Sequence, residues 1–186
     1  DGIDRQFFHP KDKNGQQKRC PLKLRNRETN ENFVVPEKAK LISYATRGME
    51  TLRGFPEFMR ALPDLFAREQ NLYVVIAGAD RRAYSYDAPT HHGSWKLRLL
   101  EEIQGKVPRD RILFTGLLDY IDYRSLLWRT DLHCYFTRPY VTSWSLLEAA
   151  ACGAQLAVNK SPATRGIVDD KSVTWVNLDK QQELTQ

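Results

Sequence analysis

Seven consecutive residues, Leu72-Tyr73-Val74-Val75-Ile76-Ala77-Gly78, carry no charge and end on glycine. An uninterrupted apolar run, as opposed to an alternating one, marks a strand covered on both faces, as in a parallel sheet flanked by helices. Other short apolar runs repeat the signal: Leu41-Ile42-Ser43-Tyr44-Ala45, Arg111-Ile112-Leu113-Phe114-Thr115-Gly116, Asp131-Leu132-His133-Cys134-Tyr135-Phe136, Gln155-Leu156-Ala157-Val158 and Val173-Thr174-Trp175-Val176. Between them lie helical patterns. Phe55, Phe58, Met59, Leu62, Leu65 and Phe66 recur at helical spacing, with Pro63 expected to bend or restart that helix, and helices are expected over residues 95–103, 120–128 and 145–151. Strand and helix in alternation imply right-handed β-α-β crossovers and an α/β, doubly wound, Rossmann-like parallel sheet. Such a sheet binds ligands beyond the carboxyl ends of its strands. The domain is expected over residues 39–186. Residues 1–38, polar, aperiodic and broken by Pro10, Pro21 and Pro36, read as a linker or extended arm.

Composition narrows the classes. At 186 residues, 41% hydrophobic and 27% charged, the chain suits one soluble globular domain. No apolar run approaches the ~18 residues of a membrane-spanning helix. The start, Asp1-Gly2-Ile3-Asp4-Arg5, has neither the charge nor the apolar stretch of a signal peptide, and no initiator Met, so it is expected to lie inside a longer polypeptide. Cys20, Cys134 and Cys152 are far apart and odd in number, which disfavours a zinc site or a disulfide framework and suggests a reducing, cytoplasmic setting. Cys152, among alanines, reads as a packing residue. The net charge of +5 invites an anionic partner: nucleic acid, a membrane surface or a phosphorylated ligand. Its excess gathers in Lys11, Lys13, Lys18, Arg19, Lys23, Arg25 and Arg27, without the aromatic interleaving of nucleic-acid modules. A solvated segment is the simpler reading, and no nucleic-acid partner is expected.

Three segments that follow strands carry groups suited to a ligand. In Thr46-Arg47-Gly48-Met49-Glu50-Thr51-Leu52-Arg53-Gly54, two arginines flank a glycine-bearing loop that opens a helix. Guanidinium forks bind phosphate oxygens in pairs, and a helix start adds N–H groups and partial positive charge. The same pattern also fits two surface arginines. In the run from Arg138 to Gly153, Ser143 and Ser145 mark a helix start whose N–H groups, from Ser143 through Trp144, would face a ligand above the sheet. Glu148, one turn further in, can accept two hydroxyls at once, as a ribose diol offers; an ordinary helix glutamate is the alternative. In Gly78-Ala79-Asp80-Arg81-Arg82, a turn alone explains the glycine. His91 and His92 sit in a polar loop with no converging ligands, His133 reads as a core histidine, and His9 belongs to the arm. Phosphate-loop, dinucleotide-fingerprint and nucleophile-elbow motifs are absent from the sequence.

Taken together, these segments resemble the C-terminal domain of group 1 (family 4) glycosyltransferases, retaining enzymes of the GT-B fold, over residues 1 to about 178. Asp1-Gly2-Ile3-Asp4 through Pro10 is similar to the family's "G-I-D…F-x-P" segment, which leads from the N-terminal domain into the hinge. Leu146-Leu147-Glu148-Ala149-Ala150-Ala151-Cys152-Gly153 resembles "L-x-E-A-M-A-C-G". The resemblance implies a nucleotide-diphospho-sugar donor, transfer of a hexosyl group to an acceptor, and no metal or other cofactor. It implies that Arg47, Arg53, Ser143 and Trp144 bind the donor diphosphate, with Arg53-Gly54 where the family has Lys-Gly. It assigns Glu148 to the ribose, and Gly116 and Leu117 to the neighbourhood of the base. Tyr140 falls beside the donor sugar, where the family has a first glutamate, and Val141-Thr142-Ser143 replaces its Pro-Phe-Gly. Partners implied are the donor and an N-terminal domain carrying the acceptor site, without which this segment is expected to be inactive. A peripheral membrane contact of the parent protein is a further expectation.

Overall fold

The computed structural model describes residues 2–11, 20–87, 93–138, 142–180 and 184–185. Strands β1 (Leu22–Arg25) and β2 (Asn32–Val35) form an antiparallel hairpin. There follow β3 (Lys40–Gly48), α1 (Phe55–Arg68), β4 (Leu72–Ala79), α2 (Trp95–Glu102), β5 (Ile112–Gly116), α3 (Tyr120–Arg129), β6 (Leu132–Tyr135), α4 (Trp144–Ala151), β7 (Leu156–Asn159) and β8 (Val173–Val176). Strands β3 to β8 make one parallel sheet in the order β5-β4-β3-β6-β7-β8. The chain builds outward from β3 to β5, then returns through α3 to pair β6 on the other side of β3. The strand order therefore reverses between β3 and β6, which is where a doubly wound sheet opens a crevice.

Burial explains why β4 reads as continuous. Leu72, Val74 and Ile76 join Phe58, Leu62 and Leu99 of α1 and α2 on one face. Val75 and Ala77 join Leu22, Leu24, Val35 and Leu126 of the hairpin and α3 on the other. Helix α4 extends that second layer, with Leu146, Ala149 and Cys152 fully buried beside Tyr123 and Tyr135. Cys152 packs as the alanines around it suggest.

Two local expectations change. Residues 22–35, read as arm, form a hairpin that roofs the sheet: Leu22 and Leu24 point into the core opposite Val35 and Phe33. Strands of four residues around a polar turn are too short to show periodicity, and tertiary packing decides them. Ahead of the hairpin, Phe8 is buried, and Trp128 Nε1 donates to the His9 carbonyl at 2.6 Å. Helix α1 runs from Phe55 through Pro63 to Arg68 without a restart, its apolar face anchored by Phe58, Met59 and Leu62.

His133 lies in the sheet centre, fully buried. Its Nδ1 is 2.8 Å from Ser43 Oγ, which donates to Thr130 Oγ1 at 2.9 Å, and Thr130 donates onward to the Leu132 carbonyl at 2.9 Å. That chain makes Nδ1 the donor and leaves Nε2, which has no partner among the described residues, as a buried lone pair. Burial therefore pushes the imidazole down from 6.5 to about 4. The sign follows: below 6.5 the unfolded chain gains a proton that the native state refuses until about pH 4. The native state should lose on the order of 3 kcal/mol as pH falls through this window, and keep it above pH 6.5. Urea midpoints at pH 7 and pH 5, compared with those of His133→Leu, check this; equal pH dependence in both proteins would contradict it.

Candidate functional site

A cleft of about 650 Å³ opens at the carboxyl ends of β3, β4 and β6, at the reversal point. Its floor is Ala45, Thr46, Ala77 and Gly78, and its walls carry Arg47, Arg53, Tyr84, Leu117, Tyr120, Tyr123, Trp144 and Glu148. Gly78 is required by contact: a Cβ there would lie 2.4 Å from the Thr46 carbonyl oxygen.

Of the two arginines expected to flank a glycine-bearing loop, Arg53 lies in the turn that opens α1, whereas Arg47 belongs to a strand. Strand β3 continues through Arg47 to Gly48, because its ladder to β4 resumes at Gly48–Ala79 after an irregularity that follows Ala45. Arg47 leaves the strand end exposed, with its Nη1 3.5 Å from the Tyr84 hydroxyl. Arg53 ends the 3-10 turn Thr51–Arg53 and is 8% exposed. Its Nη1 donates to Thr137 Oγ1 at 2.9 Å, and its guanidinium lies 5.1 Å above the Tyr84 ring. Gly54 turns the chain into α1 at φ +62°, where a Cβ would sit 2.8 Å from that of Phe136. Both arginines thus line one side of the cleft.

Helix α4 supplies the opposite side. Ser143 is its N-cap residue, but its N–H is taken by the Tyr135 hydroxyl at 2.9 Å, and its side chain pairs with Ser145 Oγ without capping the helix. The first intrahelical bond runs from Leu146 N–H to the Ser143 carbonyl, so Trp144 and Ser145 carry the leading N–H groups. Trp144 itself is half exposed. Glu148 is 8% exposed, and burial raises its carboxyl above the ordinary range. It lies near the buried Tyr123 phenol, which burial and then the Glu148 charge push upward.

Leu117, exposed after β5, lines the cleft. Gly116 does not line it; that residue lies beneath the hairpin turn, 3.4 Å from Arg27 and Glu28 as measured from an ideal Cβ. Tyr140 lies outside the described residues, as do His91, His92, Lys13, Lys18 and Arg19. Among the described residues no group of three or more His, Cys, Asp and Glu side chains is placed to hold a metal ion, and no helix is long and apolar enough to cross a membrane. Sequence reasoning missed Glu50 and Tyr84. Glu50 is fully buried although it lies inside the segment singled out for its arginines, and its partners are more than thirty residues away. A single sequence carries no signal for such a pairing.

A parallel sheet with its cleft at the reversal point defines a Rossmann-like α/β domain. Solved structures narrow the class. The chain is similar to the C-terminal domain of a group 1 family glycosyl transferase, LpcC, from Francisella tularensis, at 19% identity and TM-score 0.68, covering 99% of this chain and 84% of that one. It is similar to a glycosyltransferase from Rickettsia africae at 16% identity and TM-score 0.71, and to an E. coli trehalose-6-phosphate protein bound with UDP-2-fluoro glucose at 14% and 0.66. It spans 44% and 41% of those two chains. No protein-family model and no curated protein matches the sequence. The fold is that of the C-terminal half of GT-B glycosyltransferases.

Proposed function

We propose that this chain is the donor-binding half of a retaining glycosyltransferase, taking a nucleotide-diphospho-sugar for transfer of a hexosyl group. One observation carries the reading: Arg47 and Arg53 face Glu148 and the start of α4 across a single cleft at the sheet's reversal point. A diphosphate placed there meets both guanidinium forks and the leading N–H groups of Trp144 and Ser145. A ribose diol meets the Glu148 carboxylate, and the base extends toward Leu117. The solved structure with UDP-2-fluoro glucose supports the ligand class, because it shares the fold. The charge stabilisation comes from protein cations and helix dipole, so the reading needs no metal. An N-terminal domain supplies the acceptor site, and the isolated chain binds donor without turnover. A cytoplasmic setting with peripheral membrane contact completes the proposal.

Tyr140, a tyrosine where the resembling family has a glutamate, favours a second reading as a nucleotide- or phosphate-binding module without transfer chemistry. The two readings part on one measurement. A nucleotide-sugar should bind more tightly than its parent diphosphate in the first, and no more tightly in the second.

The experiment on the site itself is a thermal-shift panel of UDP, GDP, ADP and their sugars, followed by a double-mutant cycle. A ligand at ~100 times its dissociation constant adds about 2.7 kcal/mol to stability. Glu148→Gln keeps size and removes charge, and should weaken bonds to the diol by about 1–2 kcal/mol. A 2′-deoxy nucleotide should then lose less affinity in the variant than in the parent protein. Absence of coupling would mean that Glu148 does not touch the ribose.

A further inference from the structure

The segment that follows β4 is tied down beside the cleft by a carboxylate that the donor reading leaves unused. Glu50 sits between β3 and the turn that carries Arg53, and none of it is exposed. Its Oε2 accepts the main-chain N–H groups of Ala83, Tyr84 and Ser85 at 2.9, 2.9 and 2.8 Å. Burial opposes ionisation of this carboxyl, yet the bonds from Ser85, Tyr84 and Ala83 together hold it below the ordinary range. Three successive donors on one charged oxygen fix the path of a segment, because losing the acceptor strands all of them at once. A second tie lies further along, where Thr51 Oγ1 donates to Asp87 Oδ2 at 2.7 Å. The segment also lies flat against β3: a Cβ on Gly48 would come within 2.5 Å of the Arg81 carbonyl oxygen.

What this anchoring holds in place is Tyr84. Its ring lies under the Arg53 guanidinium at 5.1 Å, and its hydroxyl meets Arg47 at 3.5 Å, so one side chain touches both cations of the cleft. Stacking engages the face of a guanidinium whereas oxygen acceptors approach in its plane, so ring and phosphate contacts do not compete. An arginine already held this way has less rotamer freedom left to lose when an anion arrives.

We propose that Tyr84, held in place by Glu50, is a positioning residue that aligns Arg47 and Arg53 for the donor diphosphate. The proposal rests on the donor reading of the cleft, and its test separates the two. Calorimetry on the 186-residue chain compares UDP, GDP and ADP with their nucleosides. Tyr84→Leu should weaken diphosphate binding about fivefold to tenfold and leave the nucleoside within about twofold. Tyr84→Phe, which keeps the ring, should restore most of that loss. Glu50→Gln preserves shape and should speed amide hydrogen exchange at Ala83, Tyr84 and Ser85. It should also weaken diphosphate binding about threefold in the parent background and add no further loss to Tyr84→Leu. Parent protein that binds no nucleoside diphosphate overturns the donor reading, and this proposal with it. Parent protein that binds, with Tyr84→Leu unaffected or with nucleoside and diphosphate weakened alike, overturns the positioning role alone. Fully additive losses from Glu50→Gln and Tyr84→Leu break the link between the two residues.

Discussion

Arg129→Ala should destabilise the native chain by about 3–5 kcal/mol, the cost of stripping one partner from a buried charged network. The Arg129 side chain, at 6% exposure, closes the seam where the hairpin joins the sheet. Its Nε donates to the Cys20 carbonyl at 3.0 Å, and its Nη2 to the carbonyls of Pro36, Glu37 and Ala39 at 3.0, 3.1 and 2.7 Å. Nη1 faces Asp131 at 3.4 Å, and Asp131 in turn accepts the Leu41 N–H at 2.8 Å. Alanine leaves those carbonyls without their cation and takes one charged partner from Asp131. Arg129→Lys keeps the charge on a single nitrogen that cannot span the same acceptors, so its loss should fall between the two. Urea unfolding reads the result, and a thermal scan should show a drop on the order of 10 °C for a chain of this size. A loss below about 1 kcal/mol would show that water reaches the seam and satisfies the carbonyls.

The largest functional effect is expected at Arg53. Arg53→Ala should weaken nucleoside-diphosphate binding by about 1.5–3 kcal/mol, roughly tenfold to a hundredfold, and leave nucleoside binding nearly unchanged. Its side chain is nearly buried, shielded from salt, and held by Thr137 and the Tyr84 ring. Arg47→Ala should act in the same direction but less strongly, with a loss that shrinks as ionic strength rises, because Arg47 is exposed. Calorimetry at low and high salt measures both. Equal losses for nucleoside and diphosphate would remove the phosphate assignment. Because Arg53 also packs, Arg53→Lys serves as a control that keeps charge while losing the planar fork.

Much of the architecture was legible from residue order. The runs at 72–78 and 111–116 became buried strands β4 and β5, and the helical spacing of Phe55 to Phe66 became α1. Long apolar segments declare themselves because hydrophobic burial follows periodicity and needs no knowledge of neighbours. The hairpin did not declare itself. Leu22 and Leu24 are buried by contacts with Val75, Leu113 and Leu126, far along the chain, and a four-residue strand has no period of its own. The residues singled out for a ligand converge only in part as residue order suggests. Arg53 and Glu148 follow β3 and β6 while Arg47 lies within the end of β3, and the structure brings all three to one cleft. That Ser143 gives its N–H to Tyr135 could not be read, since the acceptor is a side chain on a neighbouring strand.

The chain's own order of residues determined an alternating, doubly covered parallel sheet, together with the strand ends that could carry a ligand. Those follow from local burial patterns and from where charges interrupt them. Only the tertiary structure decided which strand ends meet, through the return from β5 to β6 across β3. It also decided that an inconspicuous glutamate, Glu50, holds Tyr84 between two arginines. Contacts between residues more than thirty positions apart are set by topology and packing, and neither propensity nor period records them.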